Sequence, residues 1–516
     1  MDSVSRGHKL AAIVDFAVPV CMANYLGIDL GTSSLKALLL SDRHEVLDVA
    51  EVPLAVYTPH TGWSEQSAED WWAACCEALD ALASRQVAGM AAVRSIGLSG
   101  QMHGAVLLDD EDVVLRRAIL WNDGRSAEDC AVLSRCLPDL PQIAGNLAMP
   151  GFTAPKLLWV AREEPAIFAR TRSVLLPKDW LRLKLCGEKI SDMSDAAGTL
   201  WLDVAKRDWS DELLQATGMQ RAQMPQLVEG SAVGGILRPE LAHRWGLRER
   251  LLMAGGAGDN AASAVGIGAV SPGDGFVSLG TSGVLFVCTP QYLSAPHSAV
   301  HAFCHALPGV WHQMGVILSA ANCLRWVTGL LGRDSERALL DEVAMLDDTA
   351  RQQAPIFLPY LNGERTPHND AAASGVLFGL RSTHAPAAIG YAVIEGVAFA
   401  LLDCLQALTN SGTAVGALGL VGGGARSAEW AQLLADVLER EIHVYADSAH
   451  AAAVGAARLA WLADGGNTLT VCLKPDVSAR LVPNLENTGR LRGRHARFAR
   501  LYAALKNEFD VENRKS

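Results

Sequence analysis

The tetrapeptide Leu-Gly-Thr-Ser stands twice in this chain, at Leu30–Ser33 and at Leu279–Ser282, each time between two apolar runs. Tyr25-Leu26-Gly27-Ile28-Asp29 and Leu35-Lys36-Ala37-Leu38-Leu39-Leu40 flank the first copy; Phe276-Val277-Ser278 and Val284-Leu285-Phe286-Val287 flank the second. A tetrapeptide alone recurs by chance in a chain this long, so the flanks carry the weight. Strand, small polar turn, strand predicts a β-hairpin in each place. Two such units predict two related halves, each closing a turn on a phosphate. Glycine lets the backbone approach an anion, and Thr and Ser hydroxyls with successive N–H groups donate to phosphate oxygens. Two turns can therefore hold a triphosphate from opposite sides, which makes Thr32, Ser33, Gly280 and Thr281 candidate nucleotide contacts. The copies differ where Asp29 corresponds to Ser278. A carboxylate beside a polyphosphate is repulsive without a cation between them, so Asp29 reads as a partner of Mg²⁺, directly or through its water shell. The plainer alternative is an acid that ends a strand.

A chain of 516 residues exceeds one ordinary core, and two domains of roughly 250 residues would match the two turns. The formal net charge of −12 argues against a general nucleic-acid binder, whose affinity rests on Lys and Arg. A small ligand is expected instead. Eleven cysteines without a Cys-x-x-Cys pair fit neither a disulfide framework nor a thiolate metal site, so a reducing cytoplasm is the simplest home. No uninterrupted apolar stretch reads as long enough to cross a bilayer, so no membrane partner is expected. Arg6, His8 and Lys9 followed by Leu10–Val20 faintly resemble a secretory leader, but Asp15 interrupts the apolar part and no Ala-x-Ala-like site follows. Residues 1–23 therefore read as a disordered extension or an upstream translation start.

From Tyr25 to Gly268, short apolar runs such as Val93–Leu98 and Ala105–Leu108 alternate with helix-like stretches, which predicts an α/β domain. The Gly-rich stretch Ala264–Gly275, with Pro272, reads as the domain junction. This gives an N-terminal domain over 24–269, a C-terminal domain over 270–470 and a tail with a terminal helix over 471–516. The second domain should contain a long helix, Ala388–Leu408, and a strand, Gly416–Val421, entering Gly422-Gly423-Gly424-Ala425. Three glycines between strand and helix permit close approach to a planar or anionic ligand, or simply make a tight turn. In the tail, Arg490, Arg492, Arg494, Arg497 and Arg500 accompany apolar residues at helical spacing, which reads as a docked helix with a solvated basic face.

Leu251–Asn260 is an apolar run that breaks into glycines and then presents Asp259 and Asn260. Ligands of open α/β sheets bind beyond the carboxyl ends of strands. Asp259 there can accept the proton of a hydroxyl attacking phosphorus, with Asn260 holding a neighbouring hydroxyl. It can equally cap the helix starting near Ala261. Gly256–Ala261 also matches the Gly-x-Gly-x-x-Ala dinucleotide pattern, but the acid inside the turn would repel a pyrophosphate. A Walker-type loop is excluded by the lack of any Gly-Lys dipeptide. Gln101-Met102-His103-Gly104 lies between two strands, where Met102 and His103 can meet a polyol or serve only structure. Trp121-Asn122-Asp123-Gly124-Arg125 offers an aromatic face suited to a sugar, or a helix start.

Taken together these segments resemble the FGGY carbohydrate kinases. The match runs through Ile28–Ser33, Trp63–Gln66, Gly100–Gly104, Leu120–Arg125, Pro150–Trp159 and Ser191–Thr199. It continues through Gly258–Ala262, Ser278–Gly283, Gly363–His368 and Gly422–Arg426, so it covers nearly all the chain after Met22. Gln101–Gly104 is the segment particular to the branch that phosphorylates D-xylulose. The resemblance implies two actin-like (ribonuclease H-like) ATPase domains flanking a cleft, with ATP and Mg²⁺ as cofactors and a small sugar as substrate. It implies Asp259 as catalytic base, Met102, His103, Asp259 and Asn260 as ketose contacts, and Asp29 as the catalytic acid residue serving Mg²⁺-ATP. The two Gly-Thr-Ser turns then correspond to phosphate loops, and Gly423 and Gly424 to the adenosine loop. A homodimer in the cytoplasm is also implied, with neither nucleic acid nor membrane as partner. One departure is visible at Ala388, where the family usually has a polar residue; the position is expected to face solvent.

Two rivals remain at this stage. An actin-like or chaperone-type ATPase would use the same clamp to switch a protein-binding surface, and would release ADP without regard to sugar. A kinase of the same family could instead act on another ketose, a polyol such as glycerol, or a sugar acid.

Overall fold

The computed structural model describes residues 23–446 and 449–509, so the expected N-terminal extension lies, but for Ala23, outside the described residues. Both Leu-Gly-Thr-Ser segments turn a hairpin. Strand β1 (Asn24–Leu30) runs antiparallel to β2 (Ser34–Ser41), with Leu30 opposite Leu35 and Asp29 opposite Lys36. The Gly31 N–H closes that turn on Ser34 O at 3.0 Å. Each hairpin opens a seven-stranded sheet. The first sheet adds β3 (Val46–Pro53), β4 (Val93–Gly100), β5 (Val233–Ile236), β6 (Leu252–Ala254) and β7 (Ala257–Gly258). The second is built from β8 (Gly275–Leu279), β9 (Gly283–Thr289), β10 (His301–Cys304), β11 (Trp311–Ile317), β12 (Leu418–Val421), β13 (Ile442–Tyr445) and β14 (Val477–Leu481).

The two sheets repeat one plan. The path β3-β2-β1-β4-β6-β5 has two antiparallel pairings, then two parallel ones, then an antiparallel edge. The path β11-β9-β8-β12-β13-β14 repeats those directions in the same order. Strand β14 falls in the segment read from sequence as a tail, and it forms the edge of the second sheet.

Sheet burial on both faces explains the unbroken apolar run in β2. Leu35, Ala37 and Leu39 enter the core around Trp71, while Leu38 and Leu40 pack with Tyr25 on Ala453, Ala457 and Ala460. Those alanines belong to a helix of the second half of the chain (Ala451–Ala463) that crosses to the first sheet. It lies so close that a Cβ on Gly27 would stand 2.0 Å from Ala453 O, and one on Gly97 1.8 Å from Ala456 O. A second close approach joins it to helix Asp259–Gly266, where a Cβ on Gly455 would stand 1.8 Å from Ala262 O.

Two expectations are corrected here. Helix Pro386–Asn410 has its apolar run interrupted by Glu395 and Asp403 but is on average apolar and long enough to cross a membrane, and 83% of its most apolar window is buried inside the protein. Ala388 lies on it and, against the expectation that it faces solvent, is buried at 6% exposure, because this helix packs in the core of the second half on nearly every side. The terminal helix, Leu485–Phe509, does dock through Leu491 and Phe498, but its basic face is not simply solvated. Arg494 pairs with the buried Glu395 at 2.6 Å, and Arg490 and Arg492 pair with Asp348 and Glu439.

Candidate functional site

Parallel strands β1, β4 and β7 place Asp29, Ser99 and Ala257 on one rung, and Asp259 follows two residues after Ala257. Both acids therefore stand at the carboxyl end of the first sheet, where the connection to the next helix leaves a crevice. Ser99 Oγ donates to Asp29 Oδ1 at 2.9 Å. Burial raises the Asp29 carboxyl above the usual range. Burial, and then the charge of Asp29, push Asp259 up to about 7. Gly258 occupies the cap position of the helix that Asp259 opens, so the capping alternative does not account for Asp259. Its Oδ1 accepts only from its neighbour, from Asn260 N at 2.7 Å and Asn260 Nδ2 at 3.0 Å.

The strand end before Asp259 rests on a buried charged cluster. Gly258 N–H donates to Ser194 Oγ at 3.1 Å, and Ser194 Oγ donates to Asp192 Oδ2 at 2.5 Å. Lys178 Nζ, fully buried, lies 2.8 Å from Asp192 and 3.1 Å from Asp195. Four residues along the same helix, Arg182 Nη2 donates to Gly255 O at 2.6 Å. Buried charges are tolerated when paired and hydrogen-bonded, and such frames are stiff.

Met102 and His103 face Asp259 across the crevice. A Cβ on Gly258 would meet Met102 at 2.8 Å and one on Gly198 would meet His103 at 2.7 Å, so both glycines make room for the pair. His103 sits at φ 70° and is clamped through its carbonyl by Thr153 Oγ1 at 3.1 Å and Lys156 Nζ at 2.8 Å. Its Nδ1 lies 2.6 Å from Gly198 O, which can only accept, so Nδ1 carries the hydrogen and Nε2 is left as an acceptor. Burial lowers the imidazole to about 3, so it stays neutral. Met102, His103, Trp121, Asp259, Asn260 and Gly280 line one cavity of about 260 Å³. That is somewhat below the roughly 300–1,000 Å³ of pockets for drug-sized ligands, and suits a small polar molecule.

The second turn reaches the same cavity through Ser278, Gly280 and Ser282. Thr281, Thr32 and Ser33 are not on its wall. Thr32 Oγ1 donates to Gln101 Oε1 and accepts from Trp121 Nε1, both at 3.0 Å, which ties the first turn to the Gln101–Gly104 loop. Gly423 and Gly424 line a separate cavity of about 580 Å³, with Leu324, Arg325, Arg337 and Arg426. Leu324, Leu340 and Trp430 give it apolar surface, and its Arg325 and Arg337 pair with Glu336 and Asp341.

Of the Trp121–Arg125 segment only the Trp reaches the site. Arg125 is buried, paired to Asp123 at 2.7 Å and stacked 3.6 Å from the Trp63 ring, so it serves packing. Sequence reasoning missed His301, Phe303 and Arg365, which line the Met102–Asp259 cavity from the second half. Gly363–His368 was noticed only as part of a resemblance, and nothing local in it signals a cavity.

Known proteins share the fold. The model of the FGGY family of carbohydrate kinases, N-terminal domain, matches residues 24–266, and that of its C-terminal domain matches 275–463. The chain is 48% identical to the xylulose kinase of Escherichia coli (strain K12), covering 93% of this chain and 99% of that protein. It is 51% identical to the xylulose kinase of Klebsiella pneumoniae, over 85% and 90%. The crystal structure of a xyloylose kinase from Brucella ovis superposes with a TM-score of 0.91 at 50% identity, covering 93% of this chain and 99% of that one. A Plasmodium falciparum glycerol kinase crystallised with ADP shares the fold, with a TM-score of 0.85 at 18% identity over 94% and 98%. The architecture is that of two actin-like ATPase domains flanking a cleft.

Proposed function

The chain belongs to the FGGY family of carbohydrate kinases, and from that premise we propose that it transfers the γ-phosphoryl group of ATP to the 5-hydroxyl of D-xylulose. One observation carries the reading. Asp259, Met102 and His103 share a cavity with the backbone and hydroxyls of the second phosphate turn, so acceptor and phosphoryl group meet in one space. The relatives named xylulose kinase support the choice of acceptor.

Asp259 accepts the proton of O5 as O5 bonds to the γ-phosphorus and the bond to the β,γ-bridging oxygen breaks, leaving ADP. Its raised carboxyl is matched to that task, because a general base works best with a pKa near the working pH. His103 Nε2 accepts from a sugar hydroxyl, and Met102 packs along the carbon chain. The two turns donate to the polyphosphate, and Gly423 and Gly424 bound the nucleoside. Most of the acceleration comes from positioning and charge neutralisation.

The donor set at Asp29 fits a hard cation. Neither Asp29 nor Asp259 has an ion-pair partner among the described residues, and the charge of Asp29 disfavours that of Asp259. Mg²⁺ is commonly held by one or two carboxylates together with phosphates and water, so a fuller cage is unnecessary. Asp29 would hold it through its water shell, and the ion would neutralise the polyphosphate. Homodimerisation and a cytoplasmic location, implied by the resemblance, belong to the same proposal.

The test is ADP release measured with D-xylulose, L-xylulose, ribulose, glycerol and gluconate. Release should depend on sugar and be fastest with D-xylulose. A sugar-independent ATPase, or a preference for glycerol or gluconate, would overturn the reading.

A further inference from the structure

The acceptor cavity holds one cation that no role above absorbs. Arg365 lies on its wall, and among the described residues no carboxylate pairs with its guanidinium. The adjacent acid, Glu364, makes no ion pair with it among the described residues, although the two charges act on each other. Glu364 Oε1 accepts from Arg365 N at 2.7 Å and Leu318 N at 3.3 Å, and burial raises its carboxyl to about 8, so it is mostly uncharged at neutral pH. A guanidinium without an anion at the edge of a cavity is an open donor fork.

Its orientation is fixed from behind. Asn146 Nδ2 donates to Ala144 O and Ala302 O, both at 3.0 Å, which leaves Asn146 Oδ1 as acceptor. His301 Nδ1, 2.7 Å away, must then carry the hydrogen, and His301 Nε2 accepts. Arg365 Nη1 approaches that nitrogen at 3.5 Å. Asn146 comes from the first half of the chain and His301 from the second, so this relay spans the cleft. The charge of Arg365 bears on the His103 and His301 rings, whereas Asp259 feels chiefly Asp29. Through His301, the guanidinium thus stands at the histidine side of the cavity.

We infer that Arg365, aimed by His301 and Asn146, reads the carbonyl end of the acceptor, donating to the C2 carbonyl oxygen and the C1 hydroxyl of a ketose whose far hydroxyl lies at Asp259. The assignment rests on the kinase reading above and deepens it by naming what selects a ketose over its alditol. A carbonyl oxygen only accepts, and a two-pronged donor rewards it; the corresponding alditol hydroxyl cannot reproduce that match without turning its own hydrogen away.

The experiment compares kcat/KM for D-xylulose and D-ribulose with the inhibition constants of xylitol and ribitol, in wild type, Arg365→Met and Arg365→Lys. Hydrogen bonds to charged groups contribute enough that Arg365→Met should lower ketose kcat/KM on the order of 30-fold. The alditol inhibition constants should change less than about threefold, and Arg365→Lys should fall between. Unaltered ketose kcat/KM in the variants, or an equal loss for ketose and alditol, would overturn the assignment. An equal loss would instead mark Arg365 as a phosphate contact or a fold determinant, and the lysine variant, which keeps the charge, guards against a chain that merely fails to fold. A wild type that prefers D-ribulose would defeat the D-xylulose reading while leaving this test intact on the ribulose and ribitol pair.

Discussion

Asp29 and Asp259 stand at the same end of the first sheet, and the charge of Asp29 helps hold the Asp259 carboxyl at about 7. A base must be unprotonated to act. kcat/KM for D-xylulose should therefore rise about tenfold per pH unit below about 7 and level off above it. Replacing Asp29 with Asn removes a cause that raises the carboxyl, so the midpoint should move to lower pH, whatever happens to the plateau. Lys156, lowered by burial to about 7, would titrate in the opposite sense and give a falling limb, so the sign separates the two. A profile flat across this range would count against Asp259 as the base.

Gly423 has open space where a side chain would go and lines the cavity proposed for the nucleoside. Gly423→Val should fill it. Overpacking costs about 1–3 kcal/mol, so the KM for ATP should rise roughly ten- to a hundredfold with little change in the KM for D-xylulose. Steady-state kinetics in both substrates checks this; an effect confined to the sugar would reject the assignment.

Gly97 allows the Ala451–Ala463 helix to lie against the first sheet, with 1.8 Å between its missing Cβ and Ala456 O. Gly97→Ala should destabilise by about 3 kcal/mol or more, since backbone cannot move aside as a side chain does. Gly493, exposed in the terminal helix with nothing nearby, is the control. Gly493→Ala should stabilise by about 0.5–1 kcal/mol, and denaturant unfolding reads both.

Arg494 reaches the buried Glu395 from the terminal helix. Arg494→Leu leaves an acid without its partner in the core and should cost about 3–5 kcal/mol. Changing both residues to Leu should recover most of that. If the single variant unfolds at the same denaturant concentration as wild type, the helix is not docked through this pair.

Much of this was legible in the sequence because it was periodic or repeated. The two turns, the strands around them and the glycine-broken run into Asp259 announce themselves through apolar runs and residues with special backbone freedom. What was not legible depends on residues far apart in the chain. Arg365 meets His301 of β10 on the cavity wall from far along the chain, and Lys178 supports the strand end before Asp259 through Asp192 and Ser194, a route with no sequence spacing to read. Ala388 misled for a related reason: its helix is buried on nearly all sides, which removes the polar stripe that marks a surface helix. The same holds for Arg494, whose charge looked solvated until Glu395 was placed beneath it.

The central claim is that Asp259 takes the proton of the sugar hydroxyl while the paired turns hold ATP, and single-turnover phosphorylation of D-xylulose by Asp259→Asn tests it most directly, with ATP affinity measured on the same protein. Positioned proton transfer contributes about a hundred- to ten-thousandfold, so the rate should drop by that order while ATP binding changes little. Near-normal turnover in the variant would contradict the account.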